Sequence, residues 1–570
     1  MTRLVRVLPD VPTFAVDDGF LYSLPDAFEA KVGSVVRVPL SGRVVRGTVL
    51  ALGDGDAEGL RPVKAVSPSL PLLDEPHLAL HRWLAAHYVA PLAAMLRSAA
   101  PPNLPRSTRL VPAPVRGAGG RRHVITADHA AAVADALAGR EPGTSALVVG
   151  PTGLEVAAIA QHLRADGIDC EVVLPGDAAA EVTAAWVVAR TSPGTVVVGT
   201  PRVVAWPVAA LGLAVLVDDA RRGHKDRQSP TLHSRTVLVQ RGRFEGLSVV
   251  ATGLVPALEF VATGAAVQRR GHGRAWAPVE VVDRRDDPPG TGLLTRRAEE
   301  AVAVAVAGGR RVLAFTHRRG YAPAFRCTTC RTVRVCPTCG TRATLTGVCA
   351  RCGATLAACS HCGRGRFEPM GAGVGAVADR LSRIVGADAV GPPEAARAVT
   401  IASERDLPTV GPVDLAVAVD ADGLMLGPSY RSGEDALRLL ARVAATVGRG
   451  SGRRLIVQTS VPDHPVVESL RRGDPKDWVD EELAVRSRMG FPPAGELIVV
   501  EVRGGPADPD LGAEGWRGAT VLGPVGHDGT QRWLIQGRDL TKARVGLRGV
   551  ARRLRDRGAE VRIDADPIDL

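Results

Sequence analysis

Eight of the nine cysteines in this 570-residue chain fall in one 36-residue window. They form four Cys-x-x-Cys pairs: Cys327/Cys330, Cys336/Cys339, Cys349/Cys352 and Cys359/Cys362. A two-residue spacer lets both thiolates of a pair reach one metal ion, and two pairs complete the four-coordinate shell of a structural zinc. The spacing therefore predicts two Zn²⁺ ions per chain. A disulfide framework is the alternative, but such scaffolds spread their cysteines, whereas Cys170 is the single cysteine outside this window.

The composition is basic. The chain has 71 Lys and Arg against 60 Asp and Glu, a formal net charge of +11. Two zinc ions and eight bound thiolates still leave it positive, which favours a polyanionic partner such as nucleic acid. No apolar run approaches the roughly 18 residues of a membrane span, and no signal peptide pattern opens the chain. We expect a cytoplasmic protein with no membrane partner.

The elements that must position the cysteines alternate between strand and helix. Residues 1–70 contain valine-rich runs separated by glycine turns, which predict a small β domain. Leucines at helical spacing follow from Glu75 to about Arg97, and the stretch from Pro101 to Arg122, rich in Pro, Gly and Arg, predicts a linker. Beyond it, short apolar β runs alternate with alanine-rich helices, as in a doubly wound parallel sheet. The cysteine window interrupts a second α/β region of this kind.

Several segments match a known family in the same order along the chain. The strongest match is Val312-Leu313-Ala314-Phe315 followed by Arg318-Arg319-Gly320-Tyr321-Ala322-Pro323-Ala324, which leads directly into the cysteine pairs. Further matches are Val198-Gly199-Thr200-Pro201-Arg202, Pro428-Ser429-Tyr430-Arg431 and Asp564-Ala565-Asp566-Pro567. On these segments the chain resembles the PriA family of bacterial replication restart proteins, also called primosomal protein N′, in a form with degenerate helicase motifs.

The resemblance implies a multidomain α/β fold. It has an N-terminal β domain and a winged helix, two RecA-like doubly wound lobes, a zinc-binding insertion in lobe 2 and a small α+β C-terminal domain. The predicted parts are a 3′-end DNA-binding β domain (1–70), a winged-helix-like module (71–105), a linker (106–122), degenerate helicase lobe 1 (123–285), the start of lobe 2 (286–325), a double zinc-binding region (326–368), the rest of lobe 2 (369–490) and the C-terminal domain (491–570).

The resemblance also implies roles for particular residues. It implies a nested zinc pairing, with Cys327, Cys330, Cys359 and Cys362 on one ion and Cys336, Cys339, Cys349 and Cys352 on the other, although spacing alone leaves the other pairings open. The residues that hold a DNA 3′ end in the family correspond to Phe20, Gly42 and Lys64. An aromatic ring can stack on a base while lysine contacts a phosphate. The alternative is that Phe20 and Tyr22 are core residues.

The nucleotide motifs of the family are degraded in this chain. A P-loop ends in Gly-Lys-Ser/Thr, whose lysine contacts the phosphates and whose hydroxyl holds Mg²⁺, but none of the five lysines precedes Ser or Thr. The remnant of this loop is Gly150, Thr152 and Gly153. The Asp-Glu-x-His motif is reduced to Asp218-Asp219-Ala220-Arg221, and the arginine-finger motif keeps Arg449. We therefore assign no catalytic residue and no cofactor except zinc.

These features predict a replication restart protein that recognises stalled or abandoned forks and D-loops and recruits the primosome to reload the replicative helicase, without helicase activity of its own. The expected partners are branched, forked and single-stranded DNA, primosome proteins, the replicative helicase or its loader, and the single-stranded DNA-binding protein. Further candidates for phosphate contacts are arginines in the zinc window and the last helix, among them Arg334, Arg548, Arg552, Arg553, Arg555 and Arg557. The alternatives are an active ATP-dependent 3′-to-5′ helicase of superfamily 2 with divergent motifs and a zinc-dependent docking scaffold.

Overall fold

The computed structural model describes residues 2–105, 119–288, 292–317, 324–330, 332–338, 347–349, 353–370, 374–504, 511, 516, 518–527 and 529–569. The chain divides into two compact units. Unit 1 comprises Met1–Arg270 and Leu483–Leu570, and unit 2 comprises Gly271–Glu482. Within the described ranges, every helix is too short or too polar to cross a membrane.

A five-stranded antiparallel sheet opens unit 1, with the strand order β2-β1-β4-β3-β5. Its strands are β1 (Thr2–Pro9), β2 (Phe20–Ser23), β3 (Val35–Leu40), β4 (Arg43–Gly55) and β5 (Ala65–Val66). Alternate valines of these strands, such as Val5, Val7 and Val38, form a buried core because successive strand residues face opposite sides of a sheet. Ser23 also bridges to Pro62 just before β5, so the two edges of the sheet approach each other.

Two helices, α1 (Glu75–His87) and α2 (Leu92–Ala99), follow this sheet. Leucines of both helices, including Leu84 and Leu96, share a buried cluster with Leu8 and Leu50 of β1 and β4. Residues 71–105 are fully described and contain no strand. The prediction of a winged-helix-like module is therefore wrong, since the leucine spacing is explained by two helices that cover the sheet.

Seven parallel strands form the second sheet of unit 1, in the order β12-β6-β11-β10-β7-β9-β8. They are β6 (Arg121–Ile125), β7 (Ser145–Val149), β8 (Glu171–Val173), β9 (Val196–Gly199), β10 (Leu211–Leu216), β11 (Ser248–Gly253) and β12 (Ala266–Arg269). The connecting helices are α3 (His129–Ala138), α4 (Gly153–Ala165), α5 (Ala179–Thr191), α6 (Ser234–Glu245) and α7 (Leu258–Val261). β6 begins within the last two residues of the predicted linker.

Helices cover both faces of this sheet. Leu147 and Val149 of β7 lie in one buried cluster with residues of α5 and α6. Ala146 and Val148 lie in another with residues of α3 and α4. Strands covered on both sides read as continuous apolar runs, which is why they were recognisable in the sequence. The prediction of a doubly wound parallel sheet is confirmed here.

Unit 2 contains a six-stranded parallel sheet, in the order β13-β20-β19-β14-β18-β17. In chain order the strands of unit 2 are β13 (Val279–Asp283), β14 (Val312–Phe315), β15 (Ala324–Cys327), β16 (Phe367–Met370), β17 (Val390–Gly391), β18 (Val399–Ala402), β19 (Leu415–Ala418) and β20 (Arg454–Thr459). Its helices are α8 (Arg296–Ala307), α9 (Val374–Val385), α10 (Asp422–Met425), α11 (Ser432–Ala445), α12 (Pro465–Arg472) and α13 (Lys476–Met489), the last of which runs across the boundary into unit 1.

One predicted limit needs correction. β13 pairs with β20 in the sheet of unit 2, although residues 279–283 were assigned to the first lobe. The reason is that β13 is a half-buried edge strand, and its Val-Glu-Val-Val-Asp pattern does not show which sheet it joins. The remaining predicted domain limits stay predictions.

The C-terminal part of unit 1 is a four-stranded antiparallel sheet in the order β22-β23-β21-β24, accompanied by α14 (Thr541–Asp556). The strands are β21 (Glu496–Arg503), β22 (Ala519–His527), β23 (Thr530–Gly537) and β24 (Glu560–Ala565). Two carboxylates at the end of β24 hold it to distant segments. Asp564 Oδ1 lies 2.9 Å from Lys225 Nζ, and Asp566 Oδ2 lies 2.8 Å from His87 Nε2.

Candidate functional site

Four cysteines from the two ends of the window come together where β15 pairs with β16. Cys327 Sγ lies 3.4 Å from Cys362 Sγ, and Cys330 Sγ lies 3.6 Å from Cys359 Sγ. All four sulfur atoms lie within 4.8 Å of one another. Tetrahedral zinc with Zn–S bonds of about 2.3 Å requires S···S separations of about 3.8 Å. The cluster could therefore hold one zinc ion.

The chemistry of the four thiols also fits a metal. Hydrogen bonds from the side chain and backbone of Thr332 lower the pKa of Cys330 to about 6. The pKa of Cys362 rises to about 12, because burial and hydrogen bonds with the three other thiols outweigh a backbone hydrogen bond at Arg364 that lowers it. Thiols crowded in this way cannot all ionise without a shared cation, and a divalent ion stabilises all four thiolates together.

The other four cysteines are only partly described. Cys336 and Cys349 are both buried and pack with Leu356. Cys339 and Cys352, their partners in the predicted second site, lie outside the described residues. The four cysteines of the described cluster are the four that the nested pairing predicts for one of the two ions. The second ion stays a prediction.

The candidate residues for a DNA 3′ end lie on the five-stranded sheet. Phe20, the first residue of β2, is 40% exposed, whereas Tyr22 is 4% exposed. The Tyr22 hydroxyl donates to Pro39 O at 3.1 Å and ties β2 to the end of β3. Tyr22 is therefore a core residue, whereas the Phe20 ring is exposed and can stack on a base.

Gly42 and Lys64 belong to neighbouring segments. Gly42 occupies the turn between β3 and β4 with φ of 79°, a left-handed conformation that favours glycine, and no atom lies within 4 Å of a Cβ built there. The Lys64 side chain is exposed, and its backbone N–H donates to Arg37 O on β3 at 2.9 Å. Tyr22, through Pro39, thus connects the strand of Phe20 with the hairpin of Gly42. A ligand role for the three residues stays a prediction.

The loop between β7 and α4 contains the predicted P-loop remnant, and side chains of the protein pair with each other beside it. Glu155, in the first turn of α4, accepts a hydrogen bond from the Thr152 hydroxyl. Its other oxygen, Oε1, lies 2.7 Å from Arg221 Nη1. A Cβ on Gly223 would come within 2.3 Å of Pro151 O, so the segment after β10 packs directly against the loop.

Arg221 also contacts Asp218 within the predicted remnant of the Asp-Glu-x-His motif. Arg221 Nη1 lies 3.4 Å from Asp218 Oδ2, and the three side chains of this ion cluster are 10% (Arg221), 18% (Glu155) and 11% (Asp218) exposed. We name Glu155, Arg221 and Asp218 the ion triad. The sequence had marked Asp218 and Arg221 as altered motif residues but not their partnership with Glu155. The sequence does contain a signal for this pairing. Glu155 is an acid two residues after Gly153 of the predicted P-loop remnant, and Arg221 is a base at the histidine position of the Asp-Glu-x-His motif.

Asp219 points into the sheet instead. Its side chain is fully buried, Oδ2 accepts from Ala257 N at 3.3 Å, and the same oxygen lies 3.7 Å from His123 Nδ1. His123 in turn donates from Nε2 to Gly253 O at 3.2 Å. Asp219 is therefore held by β6, β11 and the start of α7.

Arg449, the predicted remnant of the arginine finger, is exposed in unit 2. Its carbonyl oxygen accepts a hydrogen bond from Arg453 Nη1 at 3.2 Å. Glu404 Oε1 lies 3.3 Å from Arg442 Nη1 of α11.

Three arginines that the sequence marked for phosphate contacts also make contacts within the protein. Arg548 pairs with Asp17, and Arg548 and Arg555 each lie 5.4 Å from the Phe14 ring. Arg334 is buried, lies 4.2 Å from the Phe367 ring and donates to Leu356 O. Arg334 is therefore part of the core, whereas Arg555 is exposed and the Arg548 side chain is 37% exposed.

The two parallel sheets and the cysteine cluster define a multidomain α/β protein with a group of thiols that could hold a zinc ion. Residues 6–101 match the family model of the PriA 3′DNA-binding domain (3′BD), a range that includes Phe20, Gly42 and Lys64 and also α1 and α2. The chain is 28% identical to the probable replication restart protein PriA of Mycobacterium leprae over 561 residues, covering 86% of each protein. It is 25% identical to PriA of Treponema pallidum over 583 residues, covering 87% of this chain and 86% of that protein. The resemblance to the PriA family is confirmed.

Solved structures give weaker matches. RecG bound to a three-way DNA junction is 13% identical with a TM-score of 0.35, and the match covers 72% of this chain and 46% of RecG. S. cerevisiae Dbp5 bound to RNA and ADP BeF3 is 12% identical with a TM-score of 0.35, covering 64% of this chain and 89% of Dbp5. Scores at this level support no inference about the chain.

Proposed function

We propose that this chain is a DNA-binding replication restart protein that recognises stalled or abandoned forks and D-loops and recruits the primosome to reload the replicative helicase. It does so without an ATP-driven motor of its own. Relatives named replication restart protein and the matched 3′DNA-binding domain support the role in restart and DNA binding. The observation that carries the loss of the motor is the ion triad at the remnant P-loop.

The triad opposes nucleotide binding through charge. A P-loop binds phosphate because free backbone N–H groups and the positive end of a helix face the ligand. Here the Glu155 carboxylate stands in the first turn of that helix. With one arginine against two carboxylates, the triad is formally negative and repels a triphosphate. No lysine of the chain occupies a P-loop sequence that could counter this repulsion.

The DNA-binding part of the proposal depends on exposed groups in the matched 3′DNA-binding domain. Phe20 can stack on the terminal base, the open turn at Gly42 allows a strand to approach the backbone, and Lys64 can contact a phosphate. The predicted double zinc-binding region, residues 326–368, would provide a further surface for DNA or for a partner protein. Primosome proteins, the replicative helicase or its loader, and the single-stranded DNA-binding protein are the partners we propose.

Binding and ATPase assays on one zinc-loaded preparation of the full chain test the proposal. We expect tighter binding to a fork with a free 3′ end at the junction than to the same fork without it. Phe20→Ala should weaken that preference by about 5- to 150-fold, since stacking contributes about 1–3 kcal/mol per base. Phe244→Ala is the matched control, because Phe244 is 37% exposed and lies on α6, outside the 3′DNA-binding domain.

Two results would overturn the proposal. DNA-stimulated ATP hydrolysis that Asp218→Ala abolishes would identify an active helicase with divergent motifs. Absence of fork binding at low salt, with a primosome protein still bound, would identify a docking scaffold. ATPase at the buffer level together with 3′-end-dependent binding is the result we expect.

A further inference from the structure

A cleft of about 720 Å³ lies within unit 1, apart from the cysteine cluster and from the candidate residues for a DNA 3′ end. One wall is formed by the end of β1 and by β4, another by α2 and the residues that follow it, and the third by segments after β9 and β10. Three arginines line it, one on each wall: Arg46, Arg97 and Arg202. We name it the arginine cleft. Its volume lies in the range of ligand-binding pockets, about 300–1,000 Å³.

The third wall lies where ligands commonly bind in this fold. Thr200 and Arg202 follow the carboxyl end of β9, and Gly223 and Asp226 come after the carboxyl end of β10. In open parallel sheets, ligands bind outside the carboxyl ends of the strands, because the loops there are free to vary without disturbing the core. The cleft therefore joins such an edge to the 3′DNA-binding domain, whose matched range includes the other two walls up to residue 101.

The charges of the cleft favour an anion. Arg97 is neutralised by Asp10, since Arg97 Nε lies 2.6 Å from Asp10 Oδ1. Arg46 and Arg202 are exposed, and neither side chain has a hydrogen-bond or ion-pair partner in the part of the chain that the structure describes. Asp226 is the other acid in the lining. Two unpaired guanidinium groups against one carboxylate leave a positive surface suited to phosphate oxygens.

The floor of the cleft is apolar. Leu72, Leu96, Val204 and Trp206 line it and are each at most 7% exposed. Phosphate-binding groups beside an apolar surface suit a nucleotide strand, whose sugars and bases need apolar contacts while its phosphates need cations. A simple inorganic anion would use only the two arginines.

We propose that the arginine cleft binds a segment of single-stranded DNA, with Arg46 and Arg202 on its phosphates. This inference rests on the proposed function and adds a second DNA contact to the 3′-end residues, because neither Phe20 nor Lys64 lines the cleft. The strand then contacts both the 3′DNA-binding domain and the seven-stranded sheet of unit 1.

Fluorescence anisotropy with 5′-fluorescein-labelled (dT)16, over a series of NaCl concentrations, tests the proposal on the zinc-loaded full chain. We expect Arg46→Ala and Arg202→Ala each to weaken binding by about threefold or more. Each should also reduce the slope of log K against log[NaCl] by about 0.7, the contribution of one phosphate on a single strand. Arg82→Ala is the matched control: Arg82 is exposed on α1, lies outside the cleft and has no side-chain partner among the described residues.

The outcomes separate the two proposals. Wild type that binds (dT)16, with both arginine variants keeping the wild-type affinity and slope, overturns the cleft and leaves the proposed function intact. Wild type that binds no DNA overturns the proposed function and the cleft with it. Competition by dTMP as strong as by unlabelled (dT)16 would identify a mononucleotide site and overturn the strand proposal. Cross-links from 4-thiothymidine in (dT)16 to residues 200–206 are expected, and cross-links confined to residues 20–42 would contradict it.

Discussion

Replacing Arg221 is the sharpest test of the ion triad. Arg221→Met keeps much of the side-chain volume but removes the charge that faces Glu155 at 2.7 Å and Asp218 at 3.4 Å. At an effective dielectric constant of about 20, two charges 2.7 Å apart attract by about 6 kcal/mol, but desolvation offsets much of this. Removing one partner of a buried pair typically costs about 3–5 kcal/mol, because the other charge is left unpaired.

The exposure of the triad sets the expected value within this range. Because Glu155 and Asp218 retain 18% and 11% side-chain exposure, water can screen them in part, and we expect Arg221→Met to lower the free energy of unfolding by about 3 kcal/mol. Glu155→Gln should cost less, since Arg221 keeps Asp218 as a partner. In the double variant the two effects should fall short of their sum by about 1–2 kcal/mol, which is the coupling between the side chains.

Urea denaturation followed by tryptophan fluorescence measures these effects. Five of the seven tryptophans lie in unit 1, so the signal reports mainly on the unit that contains the triad. Arg82→Met, an equal loss of charge at an exposed site on α1, should change the free energy of unfolding by less than about 0.5 kcal/mol. A similarly small effect of Arg221→Met, or additive effects in the double variant, would refute the reasoning that the triad closes the remnant P-loop.

Three further predictions concern other parts of the molecule. Cys327→Ser should lower the zinc content measured by metal analysis by about one ion per chain, whereas Cys170→Ser should leave it unchanged; equal zinc content in the two variants would contradict the cluster. Burial lowers the pKa of His81 and of His224 from 6.5 to about 4, so the unfolded chain binds more protons between these values. Unit 1 should therefore lose about 3 kcal/mol of stability per histidine as pH falls from 6.5 to 4, and urea midpoints that stay constant over this range would be inconsistent with buried neutral histidines. Lys225→Met should release the C-terminal sheet, because Lys225 is buried and lies 2.9 Å from Asp564, and limited proteolysis should then cut after β24 faster than in wild type; an unchanged rate would show that other contacts hold the sheet.

Much of the fold follows from local patterns. The runs near residues 145, 196 and 248 are apolar without alternation, as expected for strands covered on both faces, and all three lie in the parallel sheet of unit 1. The winged-helix module failed as a prediction because helical leucine spacing shows that a helix is amphipathic but not what covers its apolar face. The assignment of β13 to the first lobe was wrong for a related reason, because the pattern of an edge strand does not show which of two sheets it joins.

The cysteine spacing by itself predicted the kind of site, because a two-residue spacer lets both thiolates of a pair reach one metal ion. It left the pairing open, and the antiparallel contact of β15 with β16 decided that Cys327 and Cys330 meet Cys359 and Cys362. The sequence likewise determined that the P-loop lysine is missing. Only the tertiary structure decided that Glu155 and Arg221, 66 positions apart, lie 2.7 Å apart and close the loop. Residue types and local spacing act within a few residues, whereas an ion pair between segments that follow two different strands depends on how the whole sheet is ordered.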